Sequence, residues 1–374
     1  MDYDYLIVGC GLSGSVLAER IATVLDKTVL IIDRRGHIGG NCYDYIDSDT
    51  HIRLNKYGAH LFHTNDETVW NYINNYGTWV RWDHKVVSLV NGRYVSVPVN
   101  ITTVNELCNI HLETEADISL WLRTHQIRYD SITNSEEMAK SRIGEKLYTL
   151  LIHDYTYKQW DKYPNELDKS VLARIPIRKN QDTRYFSDKF QALPKYGYTQ
   201  FFETLLTHSN ITLQLNTEYD QIKDSVRARV TIYTGPIDVY FSDENLPRLE
   251  YRSIIFHKKI YYNTKFFQPN SVVNFPSKDV LFTRSIEYKH FLNQQSPHTV
   301  VISETTSGGG EPYYPVPNAR NRELYKLYQR FAHTEEEKRS VLFVGRLANY
   351  KYFNMDEAIK NSLDTFNSHP FFNI

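Results

Sequence analysis

The chain has 374 residues, 41% of them hydrophobic and 14% aromatic, which is enough to bury two or three substantial cores and excludes compositional disorder. Lys and Arg number 43 against 44 Asp and Glu, so a formal charge of −1 supplies no global field to recruit nucleic acid or anionic lipid. Cys10, Cys42 and Cys108 are widely spaced and form no CxxC, which argues against a disulfide framework and against a cysteine zinc site.

The acidic start Met1-Asp2-Tyr3-Asp4 is unlike the basic start of a signal peptide, and the longest apolar runs fall short of the roughly 20 residues that span a bilayer. The expectations are therefore a cytoplasmic location, no membrane partner and no nucleic-acid partner.

In chain order, Tyr5-Leu6-Ile7-Val8 reads as a buried parallel strand, followed by a helix from about Ser13 to Leu25 that buries Val16, Leu17, Ile21 and Val24. Thr28 to Ile32 is the second strand, completing one βαβ unit. The stretch 102–170 turns helical, with Trp121, Leu122, Ile143, Leu147, Leu150, Leu151 and Tyr155 at helical spacing. From about 171 strands dominate, at 230–233, 253–256, 272–275 and 299–302. Ser307-Gly308-Gly309-Gly310 is a turn, 341–345 another buried strand, and Met355 to Phe366 a closing helix.

Gly9-Cys10-Gly11-Leu12-Ser13-Gly14 fits GxGxxG directly after a strand and at the opening of a helix, where glycines let the backbone approach a pyrophosphate. Asp33 ends the second strand 19 residues past Gly14, placed for an adenosine ribose. A second glycine pair, Gly39-Gly40, follows Arg34 and precedes Asn41; Thr234-Gly235 and Arg346 come later at strand ends. These four features in this order point to FAD rather than NAD.

His60 and His63 lie three apart without a declared third metal ligand, so both are expected beside the flavin and no metal is expected. Tyr155-Thr156-Tyr157-Lys158-Gln159-Trp160 and Arg174-Ile175-Pro176-Ile177-Arg178 read as loop, a lid over an anionic ligand with a flat base. Tyr185-Phe186 and Thr283-Arg284 add another ring and a second arginine; two arginines can neutralise a diphosphate.

Together these residues resemble the prokaryotic UDP-galactopyranose mutase family along almost the whole chain. The resemblance is carried by the Gly9 fingerprint, His37-Ile38-Gly39-Gly40-Asn41, Lys56 to Asn65, Lys158-Gln159-Trp160, Arg174-Ile175-Pro176, Tyr185-Phe186-Ser187-Asp188 and Ile232 to Pro236. It continues through Leu249 to Ser253, Thr283-Arg284, Glu311 to Val316 and Gly345-Arg346-Leu347-Ala348.

It implies an α/β fold with a discontinuous Rossmann-type FAD-binding domain (1–82, 195–240 and 312–374), a helical domain (102–170) and a twisted antiparallel sheet domain for the substrate (83–101, 171–194 and 241–311). It also implies a homodimer that interconverts UDP-galactopyranose and UDP-galactofuranose with reduced FAD. It further implies no net redox change, since the two sugars are isomers, and a route through a covalent adduct between flavin N5 and the sugar.

By motif, Arg174 and Arg284 match the diphosphate arginines and His60 and His63 the residues beside the flavin. Tyr155, Thr156, Trp160, Tyr185 and Asn274 match uridine and nucleotide contacts, and Tyr314 and Tyr352 phosphate contacts. Gly9, Gly11, Leu12, Ser13, Gly14, Asp33, Arg34, Gly39, Gly40, Asn41, Leu61, Arg346, Phe353, Asn354, Met355, Asp356 and Ala358 are expected at the cofactor.

Leu151 stands where bacterial members carry Phe against the uracil, Asn354 where they carry Asp, Phe353 where they carry Tyr, and His84 where they carry Asn. These departures leave open a modified galactose nucleotide, for example an N-acetylated one. An FAD oxidase or a catalytically inert UDP-sugar binder are the readings from other classes.

Overall fold

The computed structural model describes residues 2–173 and 175–373. Five strands pair in parallel in the order Ile211–Leu215, Val29–Asp33, Asp2–Val8, Arg227–Tyr233, Val341–Phe343. Every residue of Val29–Asp33 is buried, as the unbroken apolar run of a two-sided sheet requires. The helix Leu12–Leu25 begins one residue earlier than the spacing predicts. It buries Val16, Leu17 and Ile21 but leaves Val24, expected on the same buried face, exposed, and it lies against the closing helix Met355–Ser368.

A second sheet has seven strands in the order Tyr314–Pro315, Tyr251–Tyr261, Thr299–Ser307, Arg284–Glu287, Val272–Asn274, Val86–Val90, Arg93–Val97. Its pairs are antiparallel except for Val272–Asn274 against Val86–Val90, which run parallel. The helices Ile101–Cys108, Glu115–His125 and Ser135–Tyr148 pack Ile101, Val104, Ile118, Leu122, Ile143 and Leu147 into the same apolar core as this sheet. Among the described residues, no helix is long and apolar enough to cross a membrane.

Two features differ from the sequence expectation. Asp154–Trp160 lies in the stretch expected to be helical but also reads as loop from its lid pattern; it is a helix that continues from a π-helical turn at Thr149–His153. The 21-residue helix Ala319–Arg339 falls where strands are expected to dominate; it packs Leu324, Tyr325, Tyr328, Phe331 and Ala332 on one apolar cluster, though only Asn321 and Tyr328 along it are fully buried. Its termini are held as well: the Asn318 side chain accepts from Asn321 N at 2.8 Å, and Ser340 closes the other end in a left-handed conformation.

Candidate active site

The Gly9–Gly14 turn is packed backbone against backbone. A Cβ on Gly14 would lie 2.0 Å from the Gly9 carbonyl oxygen, and one on Gly40 would lie 2.8 Å from Gly11 Cα. Only glycine fits this crossing. Gly11 is the N-cap of Leu12–Leu25, no side chain caps it, and the first turn holds no acid. The positive helix end is thus open to an anion, and the turn fits a dinucleotide pyrophosphate.

Asp33 faces the turn, with Oδ2 accepting from Cys10 N and Oδ1 from Arg35 N, both at 2.9 Å. Asn41 accepts from Arg35 Nη1 at 3.0 Å, and Arg34 pairs with Glu311. Gly39 donates to Cys10 O at 2.9 Å, which brings the second glycine pair beside the first. A Cβ on Gly345 would sit 2.8 Å from Ser13 Oγ, so the turn lies next to the residue preceding Arg346. Leu12 and Met355 pack against one common apolar cluster.

A cavity of about 490 Å³ adjoins this turn through Arg346 and Met355, while Gly9, Gly11, Leu12, Ser13, Gly14, Asp33, Arg34, Gly39, Gly40 and Asn41 lie outside its lining. Its lining gathers most of the side chains that the sequence reading singled out. His60, Leu61 and His63 form one wall; Tyr155, Thr156 and Trp160 come from the helix Asp154–Trp160; His84 and Tyr185 come from the segments beside it. Asn274 and Arg284 reach in from the second sheet, and Tyr314, Arg346, Tyr352, Asn354 and Met355 complete the lining.

Leu151 is a correction. It is buried in the apolar core, and its neighbour Ile152 lines the cavity instead, since the side chain exposed by a helical turn is fixed by the packing of that turn. Phe353, Asp356 and Ala358 lie outside the lining; Phe353 and Ala358 are buried. Asp356 keeps one buried carboxylate oxygen without a partner at the start of the closing helix, and burial raises its pKa. Arg174 lies outside the described residues.

The charges of the cavity are arranged by its walls. Arg284 Nε donates to Glu304 Oε2 at 2.6 Å, and Glu304 is 1% exposed. Burial opposes the guanidinium charge, yet the adjacent carboxylate outweighs it and holds the Arg284 pKa well above its usual value. Arg346 lies over the Tyr314 and Tyr352 rings at 5.8 and 5.2 Å.

His60 Nδ1 donates to Gly58 O at 2.8 Å, and burial pushes its pKa down to about 4. It is therefore neutral near pH 7, with a lone pair left on Nε2. His84 Nδ1 accepts from Trp82 Nε1 at 3.4 Å, and burial pushes its pKa down to about 3, so its proton sits on Nε2. The two neutral imidazoles, His84 buried and His60 half-buried, thus offer opposite hydrogen-bonding capacity.

Three participants were not singled out from the sequence as site residues. Asp188 accepts from His63 Nδ1 at 3.1 Å, and this bond lowers the pKa of its carboxyl. Phe186 stacks on His63 with ring centroids 3.7 Å apart, and Glu304 anchors Arg284. Phe186 and Asp188 lie inside the quoted Tyr185 motif, so that motif held the signal. Glu304 had none, because its partner is chosen by strand register. Among the described residues, no group of three or more His, Cys, Asp or Glu is placed to hold a metal ion.

A family model described as UDP-galactopyranose mutase matches residues 150–352, and one described as an NAD(P)-binding Rossmann-like domain matches 7–76. A probable UDP-galactopyranose mutase of Klebsiella pneumoniae is 38% identical over 96% of this chain and 93% of its own. A dTDP-fucopyranose mutase of Escherichia coli is 36% identical over 96% of both. A crystal structure of a reduced UDP-galactopyranose mutase superposes with a TM-score of 0.75 at 16% identity, covering 98% of this chain and 95% of that one, which is a likeness of fold. On the family model and the near full-length relatives together, this chain belongs to the UDP-galactopyranose mutase family.

Proposed function

We propose that this protein interconverts the pyranose and furanose forms of a UDP-linked galactose, with FAD held at the Gly9–Gly14 turn and active when reduced. The observation that carries this reading is the placement of the half-buried Arg284 with its buried partner Glu304, and of the ring-bearing helix Asp154–Trp160, around one cavity whose Arg346 directly follows Gly345, the residue packed on Ser13 of that turn. When bound, reduced flavin would supply the nucleophile for the anomeric carbon and would not be consumed as a reductant, since the two sugars are isomers at one oxidation level.

The chain's own residues bind and neutralise. Detaching the nucleotide from C1 leaves negative charge on the diphosphate, and a guanidinium already fixed by Glu304 meets that charge without reorganising. Tyr155, Thr156, Trp160 and Asn274 hold the uridine, while Tyr314 and Tyr352 donate to phosphate oxygens; burial raises the Tyr314 pKa to about 12, so its hydroxyl keeps its proton. Arg174, matched by motif, supplies the second positive charge. The neutral His60, with its Nε2 lone pair, and the His63–Asp188 pair order the polar side of the cavity where the sugar hydroxyls lie.

The similarity to a dTDP-fucopyranose mutase makes the nucleotide base and the sugar C6 substituent the points to vary. The test is incubation with UDP-galactofuranose, with and without dithionite, and separation of products by anion exchange. dTDP-fucofuranose and an N-acetylated analogue are run in parallel. UDP-galactopyranose forming far faster in the reduced sample is the expected result. Failure to convert UDP-galactofuranose, by protein that is yellow and bleaches with dithionite, overturns the assignment; turnover of only an analogue identifies the replacement substrate.

A further inference from the structure

The helix Asp154–Trp160 presents Tyr155, Thr156 and Trp160 to the cavity, and Lys158 reaches away to a different target. Its Nζ donates to the backbone carbonyl oxygens of Ser277 at 2.7 Å, Val280 at 2.9 Å and Phe282 at 3.1 Å, and it contacts that of Phe275 as well. All four belong to the connection between the strands Val272–Asn274 and Arg284–Glu287. The residues at its two ends, Asn274 and Arg284, both line the cavity. The Lys158 carbonyl in turn accepts from Thr306 Oγ1, which also accepts from Arg252 Nη2 at 2.9 Å.

Four carbonyl oxygens turned towards one point repel one another and need a positive donor between them. A compact ammonium offers one N–H to each of three carbonyls and its charge to the fourth, whereas a planar guanidinium cannot sit at that one point. Burial pulls the pKa of the amine down to about 8, so it still carries its proton at neutral pH.

We propose that Lys158 is a positioning residue for the nucleotide site, clamping the 275–283 connection to the helix Asp154–Trp160 so that Arg284 and Asn274 are held opposite Tyr155, Thr156 and Trp160. The identity of the ligand rests on the proposed function above; the clamp itself is read from backbone contacts.

The FAD-loaded Lys158→Ala and Lys158→Arg variants test it. UDP affinity is measured by calorimetry, KM and kcat are measured with UDP-galactofuranose, and amide hydrogen exchange is followed across the chain. In Lys158→Ala, Kd for UDP and KM should each rise about tenfold while kcat changes less. Exchange should accelerate in 275–283, with little change elsewhere. Ammonium or methylammonium chloride should restore part of both effects by occupying the vacated carbonyl ring, and tetramethylammonium chloride at the same ionic strength should not. Lys158→Arg should behave like the alanine variant.

Unchanged UDP affinity together with unchanged exchange in 275–283 overturns the clamp. So does a chain-wide rise in exchange that ammonium does not reverse. Wild-type protein that lacks turnover overturns the mutase reading alone, because the exchange pattern and its ammonium response still decide the role of Lys158.

Discussion

At the scale of the residue, a buried carboxylate and two neutral imidazoles set the chemistry that each side chain can offer. Arg284 is a guanidinium that cannot lose its charge and cannot swing away, since Glu304 holds Nε at 2.6 Å. Replacing Arg284 with Ala should lower kcat roughly 10²–10³-fold, the usual cost of losing one preorganised charge at a developing anion. FAD content, read from the visible spectrum, should stay intact; turnover equal to wild type would remove Arg284 from the diphosphate.

His60 and His84 are held neutral by burial, with pKa values near 4 and 3 against about 6.5 for an unfolded imidazole. Below pH 6.5 the unfolded chain takes up protons that the folded chain refuses, so this contribution is complete above 6.5 and is lost as the pH falls towards 4. The urea midpoint of the FAD-loaded protein should therefore drop between pH 6.5 and 5, a window in which ordinary carboxylates scarcely titrate. His84→Asn should flatten that drop, and an identical slope in the variant would show that His84 titrates normally.

At the scale of the element, the fingerprint turn was legible because all its constraints are local. Gly9, Gly11 and Gly14 declare their spacing, and the structure shows why: a side chain at Gly14 meets backbone, which cannot move aside as a flexible side chain would. Gly14→Val should reduce FAD occupancy by tenfold or more, in line with roughly 1–3 kcal/mol for an overpacked site. Full occupancy after purification would mean that the pyrophosphate binds elsewhere.

The helix Asp154–Trp160 was legible only in part. It lies in the stretch that turns helical, but its seven residues carry mostly polar and aromatic side chains that face a cavity and a carbonyl ring, with Trp160 also joining an apolar cluster, so the same residues read as a loop as well. Ala319–Arg339 does carry an apolar face at Leu324, Tyr325, Tyr328 and Phe331, but that face is set among many charged residues in a region where strands dominate, and its capping contacts settle where it starts and stops.

At the scale of the whole molecule, the parallel sheet draws its strands from stretches near residues 2–33, 211–233 and 341–343, and the cavity draws side chains from Tyr57 through Met355. The sequence by itself determined the nucleotide turn, the buried character of the central strands, the family, and most of the side chains that meet at the cavity. Each of these is written in spacing or in contiguous motifs, where a backbone conformation or a burial preference is decided within a few residues. Only the tertiary structure decided that Glu304 faces Arg284, that Asp188 and Phe186 hold His63, that Leu151 is core, and that Lys158 gathers the 275–283 carbonyls. Those pairings depend on strand register and on packing between segments more than a hundred residues apart, and no local pattern encodes which distant partner will fill a buried polar group's unmet hydrogen bonds.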